Sequence, residues 1–120
     1  MGWKFSDDTP IYLQLIEALK TDIVSGKYRS GDRLPAVRDL AFEAGVNPNT
    51  VQRAYAELER QRLVQSERTS GRFVSIDDEK IKELRKDLSD TYIKDLFQKL
   101  RDLGMDDKTI RDVLSKWRDE

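Results

Sequence analysis

The chain contains no cysteine and no histidine. Without cysteine there is no disulfide framework and no thiolate site for zinc, which fits a reducing, cytoplasmic setting. Without histidine the commonest general base and metal ligand is missing. No nucleotide loop of the G-x-x-x-x-G-K-S type occurs, and no pair of carboxylates stands out. An enzyme is therefore not expected, nor a cofactor or metal site. Long apolar runs are absent too, so nothing is expected to span a membrane. The opening MGWKFSDD lacks the apolar stretch of a secretory leader.

What the chain has in quantity is charge: 38% of its 120 residues are Asp, Glu, Lys or Arg, with a net charge of −1. That balance argues against a polyanion as partner until it is divided along the chain. Residues 1–25 hold two bases and four acids, and residues 77–120 hold eleven bases and thirteen acids. Residues 26–76 hold nine bases against six acids, and eight of the nine are Arg. Arg presents a planar fork suited to phosphates and guanine edges. The excess is modest but sits in one place.

The length suits one compact core with a small appendage. Thr9-Pro10 opens a first helix, with Thr9 able to cap and Pro10 in the first turn. Ile11, Leu15, Leu19 and Ile23 recur at helical spacing, Tyr12 and Ile16 widen the stripe, and Gly26 stops it. Asp32-Arg33-Leu34 forms a short extended piece before Pro35. A second helix over about 36–44 buries Val37, Leu40, Ala41 and Ala44 and ends at Gly45. Gly45-Val46-Asn47 is a tight turn; Asn47 caps a third helix and Pro48 takes its first position. Val51, Ala54, Tyr55 and Leu58 face inward, so Asn49 and Arg53 point away, with Thr50 and Gln52 on the flanks.

The period then changes to two. Leu63–Arg68 and Arg72–Ile76 read as strands joined by a Thr69-Ser70-Gly71 turn. Helix, helix, tight turn, helix and basic hairpin is the order of a winged helix-turn-helix. Asp77-Asp78-Glu79 marks a shift into a last segment. Here Ile81, Leu84, Leu88, Tyr92, Leu96, Leu100 and Leu103 keep a helical seam until Gly104. Asp106 or Asp107 caps a final helix whose apolar face is Ile110, Val113, Leu114 and Trp117. The fold expected is mainly α with a small β-hairpin: a DNA-binding domain over 1–76 and a two-helix dimerisation tail over 77–120. Such a tail is too small to hold its own core, and a second copy is the simplest partner for its seam. The dimer contact is expected at Leu84, Leu88, Tyr92, Leu96, Leu100, Leu103, Ile110, Leu114 and Trp117.

The stretch GKYRSGDRLPAVRDLAFEAGVNPNTVQRAYAELERQRLV, followed by SERTSGRFV, closely resembles the DNA-binding domain of GntR-family bacterial transcription regulators. TPIYLQLIEALKTDIVSG is similar to that domain's first helix, so the likeness covers roughly residues 9–76. The short segment after the hairpin resembles the YtrA-like subfamily. The resemblance implies a homodimeric, sequence-specific regulator, a repressor at a palindromic operator, controlling a transporter operon. It implies DNA contacts by Arg38 of the L-P-x-x-R-x-L-A motif, by Asn47, Asn49, Thr50, Gln52 and Arg53 of the third helix, and by Ser70, Gly71 and Arg72 of the wing. Many members of the family carry serine where this chain has Ala36, and arginine in place of Pro48 and Gln52, so no operator sequence is carried over. The alternative is a winged-helix module that docks proteins without reading DNA; such modules lack an outward polar-and-Arg helix start and a basic hairpin. A small-molecule effector has little room here unless the dimer interface forms its pocket.

Overall fold

The computed structural model describes residues 3–75 and 77–119. Ile76, the expected end of the second strand, lies outside the described residues. The order is α1 (Ile11–Val24), α2 (Val37–Ala44), α3 (Pro48–Arg60), β1 (Val64–Glu67), β2 (Gly71–Val74), α4 (Asp78–Asp102) and α5 (Asp107–Lys116). One compact unit ends at Leu84 and a second begins at Arg85. Among the described residues no helix is long and apolar enough to cross a membrane.

In the first unit α3 packs against both α1 and α2. Its inner face of Val51, Ala54, Tyr55 and Leu58 is buried, as are Leu15, Leu19 and Ile23 of α1 and Leu40 and Ala41 of α2. Fully burying an aliphatic side chain of this kind contributes about 1.5–3 kcal/mol, so this shared face dominates the stability of the unit. Tyr55 adds a polar fastening: its hydroxyl donates to the Pro35 carbonyl at 2.7 Å, and burial raises the pKa of the phenol well above its ordinary value.

The start of α1 differs from expectation. Pro10, not Thr9, holds the cap position and no side chain caps it. Its carbonyl accepts from the Leu13 and Gln14 N–H groups, and Gln14 fixes the preceding arm instead. The Gln14 amide accepts from the Ser6 N–H at 2.9 Å and donates to the Ser6 and Thr9 carbonyls at 2.9 and 2.8 Å. Trp3 and Phe5 stack within that arm, ring centres 5.9 Å apart.

β1 and β2 pair antiparallel, Val64 opposite Val74, Ser66 opposite Arg72 and Glu67 opposite Gly71. The extended piece anticipated at 32–34 joins their sheet. Arg33 bridges Phe73, the Leu34 N–H donates to the Arg72 carbonyl and the Val74 N–H donates to the Asp32 carbonyl, each at 2.8 Å.

In the second unit the Asp106 side chain caps α5, accepting from the Thr109 N–H at 2.8 Å. The α4–α5 turn is held by Arg101, whose guanidinium meets Asp107 at 2.8 Å, and by Arg101 and Arg111 against the Phe97 ring. Two residues expected in an intermolecular seam are already covered within the single chain: Leu84 is buried in the first unit, and Ile110 is 0% exposed in the second. Helical spacing gives the apolar side of a helix but not which neighbour covers it. Leu88 and Leu100 are half-buried, whereas Tyr92, Leu96, Leu103, Leu114 and Trp117 are exposed. Ile93 and Val113, outside the expected set of contacts, are exposed with them.

Candidate nucleic-acid interface

The turn between α2 and α3 is built by Gly45 in the left-handed region at φ 70°, from which the chain reverses through Val46 into α3. Asn47 then caps α3, its side-chain oxygen accepting from the Asn49 N–H at 2.8 Å. Pro48 has no N–H to satisfy, and the Thr50 N–H donates to the Asn47 carbonyl at 2.9 Å. The backbone donors of this first turn are thus engaged locally. What this helix end offers outward is therefore its side chains and the helix dipole.

Those side chains are displayed. Asn49, Gln52 and Arg53 are exposed and Thr50 is half-buried, while the opposite face of the same helix is sealed in the core. Arg53 does not wave freely: its guanidinium carbon lies 3.7 Å from the centre of the Tyr12 ring on α1. Tyr12, Ile11, Asn49, Thr50 and Arg53 line an open cleft of about 300 Å³. Arg38 projects from α2, exposed, and among the described residues it makes no ion pair with Asp39, Glu43 or any other acid. Farther along α3, Arg60 is neutralised by Glu57, whose carboxyl is pulled down to about 2 by hydrogen bonds first from Arg60 and then from Gln61. Unpaired positive charge on α3 therefore lies at Arg53, in its first half.

At the wing the structure separates Ser70, Gly71 and Arg72, which the resemblance places together at the DNA. Ser70 lies in the exposed turn, and Gly71 opens β2 at φ 104°, a conformation that a side chain would strain. Arg72, expected at the DNA with them, is half-buried and already engaged within the chain. Strand alternation puts it on the same side as buried Val74, and its Nε donates to Glu59 at 2.6 Å. The Ser66 hydroxyl donates to the same carboxylate oxygen at 2.6 Å, and Arg72 also lies 5.2 Å from the centre of the Tyr55 ring. Burial pushes the Glu59 carboxyl up, but the hydrogen bonds from Ser66 and Arg72 prevail and hold it below its ordinary value.

Two residues of this region were not singled out from sequence. In sequence Tyr12 only widens an apolar stripe, and nothing local announces a stack on a residue 41 positions away. Arg33 stood in an extended piece of unknown pairing. Counting by two from Val74 would have turned Arg72 inward, but only the bridge to Phe73 places Arg33.

Residues 11–74 match the family described as bacterial regulatory proteins, gntR family. The chain belongs to this family. Over 105 residues it is 34% identical to the HTH-type transcriptional regulator YhcF of Bacillus subtilis, a likeness covering 88% of this chain and 87% of that one. The HTH-type transcriptional repressor YtrA of Bacillus subtilis is 45% identical over 67 residues, 56% of this chain and 52% of YtrA. Among solved structures, a GntR-family regulator from Listeria monocytogenes superposes with a TM-score of 0.86 at 35% identity, covering 95% of this chain and 100% of that one. The DNA-binding domain of AraR, solved in complex with operator ORX1, superposes with a TM-score of 0.56 at 25% identity, covering 62% of this chain and 95% of that domain. This gntR-family chain is a DNA-binding transcription regulator with a winged helix and C-terminal helices, and it is not an enzyme.

Proposed function

We propose that the protein acts as a homodimeric repressor that reads a palindromic operator. Residues 1–76 serve as the DNA-binding domain and residues 77–120 as the dimerisation tail. α3 enters the major groove with Asn49, Thr50, Gln52 and Arg53 against base edges and phosphates, Arg38 joins from α2, and the Ser70–Gly71 turn follows the neighbouring groove. Asn47 contributes chiefly as the cap that sets the start of the helix. The observation that carries this reading is the two-sidedness of α3: one face is sealed in the core, and the other shows a cluster of amides and an arginine that forms no ion pair among the described residues.

Dimerisation is supported by the exposed apolar side chains of the tail, among them Leu103 at 76% and Trp117 at 63% exposure, which water solvates poorly. Repression is supported by the likeness to YtrA, itself named a repressor. Kinship with the YtrA-like group points to a transporter operon as the target. The test is a footprint of Arg53→Ala on a duplex selected by the parent protein. Binding weakens by about 1–3 kcal/mol and base preference relaxes at the contacted position; a footprint indistinguishable from the parent's overturns the assignment of α3.

A further inference from the structure

The wing of this sheet has two faces, and they hold different arginines. Val64, Ser66, Arg72 and Val74 share the inner face: Val64 and Val74 are buried, and Ser66 and Arg72 both meet Glu59. Gly71 and Phe73 share the other face, because side chains alternate along a strand. Arg33 bridges Phe73 across the sheet, so its side chain rises from that same outer face, while its neighbour Leu34 is buried on the inner one. The guanidinium comes to rest on Gly71. A methyl group built on that glycine would meet Arg33 Nε at 3.1 Å and Nη2 at 3.3 Å.

We infer that Arg33 is a phosphate-binding arginine of the wing, laid along the Gly71 backbone and held for a duplex, while Arg72 is an internal strut. This rests on the DNA-binding reading above and adds a residue to it. Arg33 is exposed, and among the described residues it forms no ion pair. A guanidinium has five N–H donors, more than its contact with the Gly71 backbone can use. Arg72 has its charge opposed by Glu59 and is half-buried, so turning it toward a phosphate would break that pair and leave the carboxylate unpartnered. Gly71 acquires a second reason to be glycine: besides its positive φ, it gives Arg33 a flat bed. Glu67, opposite Gly71 on the outer face, is the acid whose field Arg33 must overcome when a phosphate approaches.

The test uses the full chain and a labelled mixed-sequence duplex, with binding followed by fluorescence anisotropy over a salt series. Arg33→Gln weakens binding roughly tenfold at low salt, the worth of one charge-assisted contact, and lowers the salt slope by about 0.9, one phosphate's share. Glu67→Gln strengthens binding, and Arg72→Gln leaves the slope unchanged. Circular dichroism melts confirm that the variants fold; Arg33 and Glu67 are exposed, so those two answer the question even if Arg72→Gln unfolds. Arg53→Ala is the reference. If it weakens binding while Arg33→Gln does not, or if Arg72→Gln takes the slope loss instead, the assignment of Arg33 is overturned and the α3 reading stands. If neither Arg33→Gln nor Arg53→Ala changes binding, both readings fall.

Discussion

The guanidinium of Arg53 is stacked on the ring of Tyr12, 3.7 Å from its centre, so the first helix supports the outward face of the third. A stack of this kind restricts the arginine's rotamers while leaving its in-plane N–H groups available to a base edge or a phosphate. A side chain already ordered in the unbound protein loses less freedom on binding. Tyr12→Leu should weaken binding to a selected duplex by about 0.5–1 kcal/mol, and Tyr12→Phe, which keeps the ring, should stay near the parent. In a double-mutant cycle the Tyr12→Leu effect should vanish on an Arg53→Ala background. An undiminished effect there would show the ring acting on its own.

Asn47 ties the geometry of α3 to its stability through the hydrogen bond to the Asn49 N–H. Asn47→Ala should lower unfolding stability by about 1 kcal/mol in chemical denaturation, since an alanine leaves that donor without its cap. Asn47→Asp keeps a cap oxygen but sets a negative charge where the proposal places a phosphate. Stability should therefore survive in Asn47→Asp while duplex affinity falls. Equal losses of both in Asn47→Asp would mean that the position matters only to folding.

The Glu59 network makes a prediction about acid. Its carboxyl titrates below its ordinary value in the folded chain, so the unfolded chain holds that proton more tightly. The stabilisation is complete above the ordinary carboxylate range and declines as pH falls through it toward the folded-state value. Urea midpoints measured from neutral pH downward should decline less steeply for Glu59→Gln than for the parent. The variant should be the weaker protein at neutral pH, where Arg72 and Ser66 lose an ionised partner. Parallel curves would place the acid sensitivity elsewhere.

For the tail, Leu96→Glu combined with Leu103→Glu places charge among apolar side chains that already face solvent in the single chain. Folding of the protomer should be little changed, but sedimentation equilibrium should shift toward monomer. Affinity for a two-half-site duplex should drop by about a hundredfold or more, as the second half-site is no longer bound intramolecularly. A parent protein already monomeric at micromolar concentration would remove the tail from the account.

Much of the architecture was legible because it is local. Gly45, Asn47 and Pro48 specify where α2 stops and α3 starts through φ, a cap and a missing N–H, and the inner face of α3 follows from helical spacing alone. The departures from expectation are partly local and partly long-range. Adjacency to Gly71 in sequence suggests a wing contact for Arg72, although adjacent strand residues point to opposite faces. Helical spacing alone puts Leu84 and Ile110 in an intermolecular seam, because it cannot distinguish a partner from the chain's own interior. Residue type makes Thr9 a cap, whereas the fastening of that helix start comes from Gln14, a residue inside the helix.

The central claim is that two copies present paired third helices to one duplex. It is tested most directly by selecting bound sequences from a random duplex pool with the purified protein. The account predicts enrichment of a two-fold symmetric site whose half-sites are centred about one helical turn apart, roughly 10 base pairs. Enrichment of a single, asymmetric half-site, or of no sequence at all, would contradict it.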